Sequence, residues 1–380
     1  VVGEGTGWNT EPYTCVEKDG MLYGRGVSDD KGPVVAALFA MKAVRDMGIP
    51  VSKNVRLIMG TDEESGSEDI AYYYSKELFA PMAFTPDADF PVINIEKGHY
   101  HPDFGSQWEM DTALPQVSTM TGGFRVNVVP PEAKAHIAGM TAGEIRPLLA
   151  PVEAKSGAKF TLTDESAGVT IHCLGKNAHA AMPEGGINAI QALLEVLAAL
   201  PLADCASTRA IRAMQKLFPF GDTRGKGLGI AQSDPESGEL TLNLALMTLT
   251  ETGFTAKFDS RVPICATREN CARVCEESLA AHGIRVTGAG EMTATHVVEA
   301  DSPLVRTLLD CYSAVTGVAD PKPIAIGGGT YVHDIPGGVA FGCDFPGFDP
   351  KMHSANEQAS VENLLKSARI FALTIAELCK

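Results

Sequence analysis

The stretch VRLIMGTDEESGSED, residues 55–69, restricts the fold more than any other part of this chain. Its apolar run reads as a strand entering a core, and Asp62, Glu63 and Glu64 stand side by side where that strand leaves it. Like charges at this spacing repel, and burying even one carboxylate is costly unless something compensates it. Such a triplet is either a solvated loop or one wall of a cation site. The other acids and histidines of the chain bear on that choice. Asp29 and Asp30 sit in the turn after LYGRG, Asp87 follows MAFTP, and His353 lies in the polar loop DPKMHSANEQ before the last helix. Each is at or just beyond an expected strand end, so four loops can bring carboxylates and an imidazole to one edge of a sheet. That edge is where open α/β sheets bind ligands.

The segment MLYGRGVSDDKGPVVAALFAMKAVRDMG predicts a strand, a glycine-rich turn and a helix, with Pro33 in the helix's first turn and Gly48 at its C-terminal end. NVRLIMG predicts the next strand, EDIAYYYSKEL a helix, and MAFTPDADFPVINIEKG a strand with an acidic, proline-bounded turn. From about Gly98 the texture changes to Thr- and Val-rich strands such as GFRVNVVPPEAKAHIAG, KFTLTDESAGVTIHCLG and ELTLNLALMTLTETGFTAKFDSRVP, with helices such as GINAIQALLEVLAAL between them. Near Asp301 the first style returns and closes with the helix SVENLLKSARIFALTIAELC. The expectation is an α/β fold: one α/β domain (residues 1–97 and 296–380), with a mixed, mostly parallel sheet flanked by helices. An α+β domain (98–295) is inserted into it.

Composition removes several classes of function. A chain of 380 residues with a formal charge of −16 is a poor partner for nucleic acid or an anionic membrane surface. No apolar run reaches membrane-spanning length, and the first residues lack the pattern of a secretion signal. Nine scattered cysteines without a C-x-x-C pair predict reduced thiols and a cytoplasmic location, with Cys271 and Cys275 as packing residues. A carboxylate and histidine set without cysteine suits Zn, Mn or Co and is compatible with a two-metal hydrolytic site.

Six motifs in order, LYGRGVSDDKGP, GTDEESG, FTPDADFP, GKNAHAAMPEGGINA, GGGTY and the final His-containing loop, resemble the di-metal peptidase and deacylase superfamily. That superfamily includes carboxypeptidase G, aminoacylase-1 and succinyl-diaminopimelate desuccinylase. The branch that the chain most resembles is that of bacterial dipeptidase V and the carnosinase-like dipeptidases. The resemblance implies a catalytic domain interrupted by a lid, and two divalent cations, with zinc first and Mn or Co as alternatives. Asp29 would bridge the cations, Glu64 and His353 would complete one site, and Asp87 would bind the other. Glu63 would be the general base for a hydroxide shared by the metals.

In the lid, the resemblance implies that His179 stabilises the oxyanion, while Asn127 and Arg261 hold the substrate's terminal carboxylate. The GGGTY run, with Gly328 and Gly329, either cradles substrate through backbone N–H groups or makes a tight strand-to-helix turn. The family also carries a His-x-Asp just before the position matching the opening VVGEGTGW, and that motif is absent from this sequence. The second metal would then keep only Asp29 and Asp87. The expected activity is hydrolysis of dipeptides by a monomer or homodimer. The alternatives are an N-acyl amino acid amidohydrolase of the same fold, a catalytically impaired form that only binds, and a phosphoester hydrolase.

Overall fold

In the helix Lys31–Asp46 the buried positions are Pro33, Ala36, Ala37, Ala40 and Val44, one stripe of a 3.6-residue repeat. The small alanines let this helix lie close against the C-terminal helix Val361–Leu378, which presents Ser367, Ile370, Phe371, Thr374 and Ile375. The helix Pro303–Thr316 packs on the same C-terminal helix. It begins at Ser302, whose Oγ accepts the Val305 amide, and ends at Gly317 in the left-handed region at φ 76°. Phe90, Phe341 and Phe371 fill the space between these helices and the strands, and each is at most 1% exposed. Removing one such ring costs about 3–5 kcal/mol.

The computed structural model describes all residues from 1 to 380 except 4 and 289. They fall into two compact units, Val1–Glu96 with His296–Lys380, and Lys97–Thr295. In the first unit the strand Ile93–Glu96 is central. It pairs antiparallel with His296–Val297 and with Ala340, and parallel with Ile324–Ile326. Val339–Ala340 in turn runs parallel to Phe84–Thr85, and Cys343–Asp344 runs parallel to Ala88–Asp89. The sheet is mixed and flanked by helices, an α/β arrangement. A separate antiparallel ladder joins Val16–Lys18, Met21–Tyr23 and Gln358–Ser360. Asp29 and His353 flank that ladder in sequence.

One expected strand does not form. Residues 54–60 are irregular and mostly exposed, because no described strand lies alongside to complete their hydrogen bonds. Leu57 still packs against the main core of the unit, whereas Met59 is 68% exposed. The helix after the acids is Glu68–Tyr74.

The second unit is built on an antiparallel sheet. Lys159–Glu165, Gly168–Leu174, Glu132–Ala138, Gln116–Gly122, Thr241–Thr250 and Gly253–Val262 lie side by side in that order, followed by Asp103–Gln107 and Arg285–Val286. Glu132–Ala138 and Gly168–Leu174 alternate buried and more exposed residues, so one face is covered. Helices Ala142–Ser156, Ala189–Ala199 and Ala206–Leu217 contribute to the core on that face. Here too the sequence reading needs a correction: Asn127, expected in a strand, lies in an exposed turn between Gln116–Gly122 and Glu132–Ala138. The prolines at 130 and 131 supply no amide hydrogens and delay the strand's start. Cys271 and Cys275 are fully buried, and all nine cysteines are free of disulfides. Among the described residues no helix is long and apolar enough to cross a membrane.

Candidate active site

Asp29, Glu64 and His353 come from three separate loops of the first unit, and their ligand atoms lie within 4.8 Å of one another. His353 Nε2 is 2.8 Å from Asp29 Oδ2 and 3.2 Å from Glu64 Oε1. Each loop has its own device for holding its side chain.

Asp29 is placed by Glu357. This carboxylate is fully buried and accepts from Arg25 Nη1 at 2.7 Å and from the amides of Gly26, Ser28 and Asp29 at 2.9–3.1 Å. Next to Asp29, the Ser28 hydroxyl donates to Asp344, whose carboxyl is pushed up to about 7 by burial. His353 sits in a tightly wound loop where Lys351, His353 and Asn356 all adopt left-handed backbone, at φ 52°, 59° and 61°. For side chains with a Cβ this conformation is uncommon, and such outliers gather at functional sites. The acid turn becomes a single 3₁₀ turn, Glu63–Ser65, in which the three acids have different tasks. Asp62 accepts the Glu68 amide and steadies the following helix, Glu64 meets His353, and Glu63 is left between them.

The electrostatics follow from this crowding. Hydrogen bonds to Asp29 and then Glu64 raise the His353 imidazole to about 10. Burial works to raise Glu64, but the hydrogen bond and charge of His353 outweigh it and hold this carboxyl below its ordinary value. For Glu63 the charge of His353 is outweighed: burial first, and then the charges of Glu64, Asp29 and Asp30, push it up to about 7. Asp87 is raised well above its ordinary value by burial and then by the charges of Asp29, Asp30, Glu63 and Glu64, and Asp30 is raised by burial and by Asp29. Acids thus outnumber the one imidazole among them, a balance that a divalent cation corrects. Two carboxylates and an imidazole within reach of one point form a donor set that fits Zn, Mn or Co. Among the described residues this is the one group of three such donors; Asp87 joins it electrostatically without forming a second group.

GGGTY follows the strand Ile324–Ile326 and leads into the short turn Tyr331–Asp334, so it is a strand-to-helix connection. Thr330 anchors it on the buried Glu96, with amide and hydroxyl donating at 3.1 and 2.7 Å. A Cβ at Gly328 would meet only Ile326 Cδ1, at an ordinary 3.5 Å, so crowding within the chain does not demand glycine there.

The remaining candidates lie in the second unit. His179 and Asn127 occupy facing segments joined by an antiparallel bridge between Val128 and His179, and the Ala180 amide donates to the Asn127 carbonyl at 3.0 Å. Both residues are exposed. Arg261 differs: it is 6% exposed, grips Asp259 through Nε and Nη2 at 2.7 and 2.8 Å, and has Nη1 at 2.9 Å from His99. Sequence reasoning gave no role of their own to Glu357, Asp344, Asp69 and Tyr331; they stand in a polar loop, a two-residue strand, the first turn of a short helix and a 3₁₀ turn, all too short for a periodic signal to mark them.

The family model described as peptidase family M20/M25/M40 matches residues 1–377. The chain belongs to this family. A Bacillus subtilis member named "Putative dipeptidase YtjP" is 36% identical over 383 residues, covering all of this chain and 81% of its own length. A similarly named Staphylococcus saprophyticus protein is 29% identical over 386 residues, with the same coverage of both chains. Among solved structures, human carnosine dipeptidase 1 aligns over 100% of this chain and 77% of its own, with a TM-score of 0.52 at 17% identity. The dipeptidase Dug1p of Saccharomyces cerevisiae covers 97% and 75%, with a TM-score of 0.51 at 16% identity. At these identities the two structures support the fold. The M20/M25/M40 assignment makes the chain a peptidase.

Proposed function

We propose that this peptidase is a metal-dependent dipeptidase of the cytoplasm, in which Asp29, Glu64 and His353 hold a divalent cation and Glu63 is the general base. The observation that carries the reading is the convergence of those three donors within 4.8 Å beside a carboxyl raised to about 7. A divalent cation bound there, zinc first and Mn or Co as alternatives, polarises a scissile carbonyl and makes water a nucleophile near neutral pH. Everything else is done by the chain's own groups. Glu63 takes a proton from the attacking water and returns it to the departing amine, a task suited to a group that titrates near the working pH. Asp29, oriented by the amide that donates to Glu357, presents its carboxylate to the cation and also to any second cation that Asp87 helps to hold.

The dipeptide reading draws support from the names of the relatives. We assign the backbone of Gly328 and Gly329, in the loop that Thr330 fastens to Glu96, to the substrate backbone; a Cβ at Gly328 would meet only Ile326 Cδ1, at 3.5 Å. In the second unit we assign the exposed pair His179 and Asn127 to the oxyanion and the terminal carboxylate of the substrate. Arg261 is already engaged by Asp259 and by His99, so it serves the terminal carboxylate only by sharing its fork with those partners.

The deciding experiment is a panel of dipeptides against N-acyl amino acids with Zn²⁺, Mn²⁺ and Co²⁺, run on the protein and on Glu63→Gln. Dipeptides should be cleaved faster, and Glu63→Gln should lose at least a hundredfold in kcat, in the range of general acid–base catalysis, while still binding metal. Faster turnover of acyl amino acids would replace the dipeptidase with the amidohydrolase alternative. Full activity in Glu63→Gln would remove the general base.

A further inference from the structure

We infer that Tyr331 and Asp69 form a clasp that positions the acid turn, making them positioning residues for cation binding by Glu64 and proton transfer by Glu63. The inference rests on the function proposed above. Asp69 Oδ2 collects three donors at once: the Tyr331 hydroxyl at 2.8 Å, the Thr61 amide at 2.6 Å and the Asp62 amide at 3.1 Å. The Asp62 amide also lies 3.3 Å from the Tyr331 oxygen. These contacts fasten the backbone immediately before Glu63, and the Asp62 carboxylate fastens the backbone after it through the Glu68 amide at 3.0 Å. The 3₁₀ turn itself has no buried residue and no ladder beside it, so packing does not hold it. Polar contacts to a fixed point must do so; from elsewhere in the sequence His353 meets the Glu64 side chain, and Tyr331 meets the backbone before the turn and Asp69.

That fixed point is itself anchored. Tyr331 directly follows Thr330, which is bound to the buried Glu96 at the end of the central strand. The path from sheet to acid turn therefore runs Glu96, Thr330, Tyr331, Asp69, Thr61 and Asp62. It joins the glycine loop, where the substrate is placed, to the turn that bears the base. Gly60 shows how closely this contact is fitted. A Cβ there would fall 2.0 Å from the Tyr331 hydroxyl oxygen and 2.6 Å from Asp69 Oδ2, so any larger residue must displace one of them.

The test compares Tyr331→Phe, Asp69→Ala, their double variant and Gly60→Ala with the parent protein, using Zn²⁺ alone as the binding probe and Ala-Ala as substrate. Partners that orient ligands from behind typically account for ten- to hundredfold in affinity or activity. Tyr331→Phe should therefore lose about tenfold in Zn²⁺ affinity and in kcat, with KM and the melting temperature unchanged. The double variant should lose no more than the worse single variant, because the two residues act through one contact. Under native conditions the Thr61 and Asp62 amides should exchange hydrogen faster in Tyr331→Phe and in Gly60→Ala. Parental affinity and exchange in Tyr331→Phe would overturn the clasp. So would losses that multiply in the double variant, or a loss that only follows a fall in melting temperature. Glu64→Gln separates the two levels. If it binds Zn²⁺ like the parent, the metal-site reading fails whatever Tyr331→Phe does. If it loses Zn²⁺ while Tyr331→Phe behaves like the parent, only the clasp fails.

Discussion

Glu357 shows what a residue can do without touching the chemistry. It is fully buried, and its neighbour Arg25 is 2% exposed, so the pair is an ion pair out of reach of water, with three backbone amides completing the carboxylate's hydrogen bonds. Truncating one partner of such a pair leaves an uncompensated charge and costs about 3–5 kcal/mol. Glu357→Ala should lose that much in denaturant unfolding and should also free the Asp29 loop, weakening Zn²⁺ binding. A loss below about 1 kcal/mol, the worth of an exposed pair, would show that the loop is held by something else. At this scale the meeting of Asp29, Glu64 and His353 was legible, because each belongs to a motif placed after an expected strand or before a helix. Glu357 was not: it stands four residues beyond His353 in the same polar loop, and only its burial distinguishes it from a solvated acid.

Elements were legible where a segment carries its own partner or its own caps. The hairpins Lys159–Glu165 with Gly168–Leu174, and Thr241–Thr250 with Gly253–Val262, bring both strands in one stretch of sequence. The helix Lys31–Asp46 announces itself through Pro33 and its alanine stripe. Residues 54–60 have as much β propensity, but a strand exists only through its neighbour, and none of the described strands is there to pair with it. Within Gly253–Val262, Asp259 and Arg261 point to one prediction about pH. Burial raises the Asp259 carboxyl, yet hydrogen bonds from His101 and then Arg261 outweigh it and hold the group far below the ordinary carboxylate range. A depressed folded-state pKa adds stability that is complete above the unfolded value near 3.9 and drains away as pH falls below it. Asp259→Asn should be less stable than the parent at pH 7, and the gap should narrow as melting temperatures are followed from pH 5 down to pH 2.5. A gap that stays constant over that range would mean the ion pair contributes packing and not charge.

On the scale of the whole chain, the texture of the sequence changes near residue 98 and returns near Asp301, and the structure has two units whose cores share no residue. One cluster is built around Phe104, Phe218 and Phe258, and another around Phe90, Phe341 and Phe371. The acids that gather around Asp29 all belong to the first unit, which holds the Phe90 cluster and both ends of the described chain. Mutual repulsion among Asp30, Glu63 and Asp87 weakens that unit alone, and a cation bound to Asp29, Glu64 and His353 strengthens that unit alone. Binding to the folded form at a hundred times Kd adds about 2.7 kcal/mol, an amount that moves a domain of this size by about 2–4 °C per kcal/mol. Calorimetry with Zn²⁺ should therefore show one transition rising by several degrees while another stays in place, and EDTA should reverse only the first. The Asp29→Asn variant should lose the metal-dependent rise and keep the stationary transition. If EDTA instead shifts every part of the unfolding profile equally, the two cores unfold as one cooperative body, and the cation's stabilisation is spread over both.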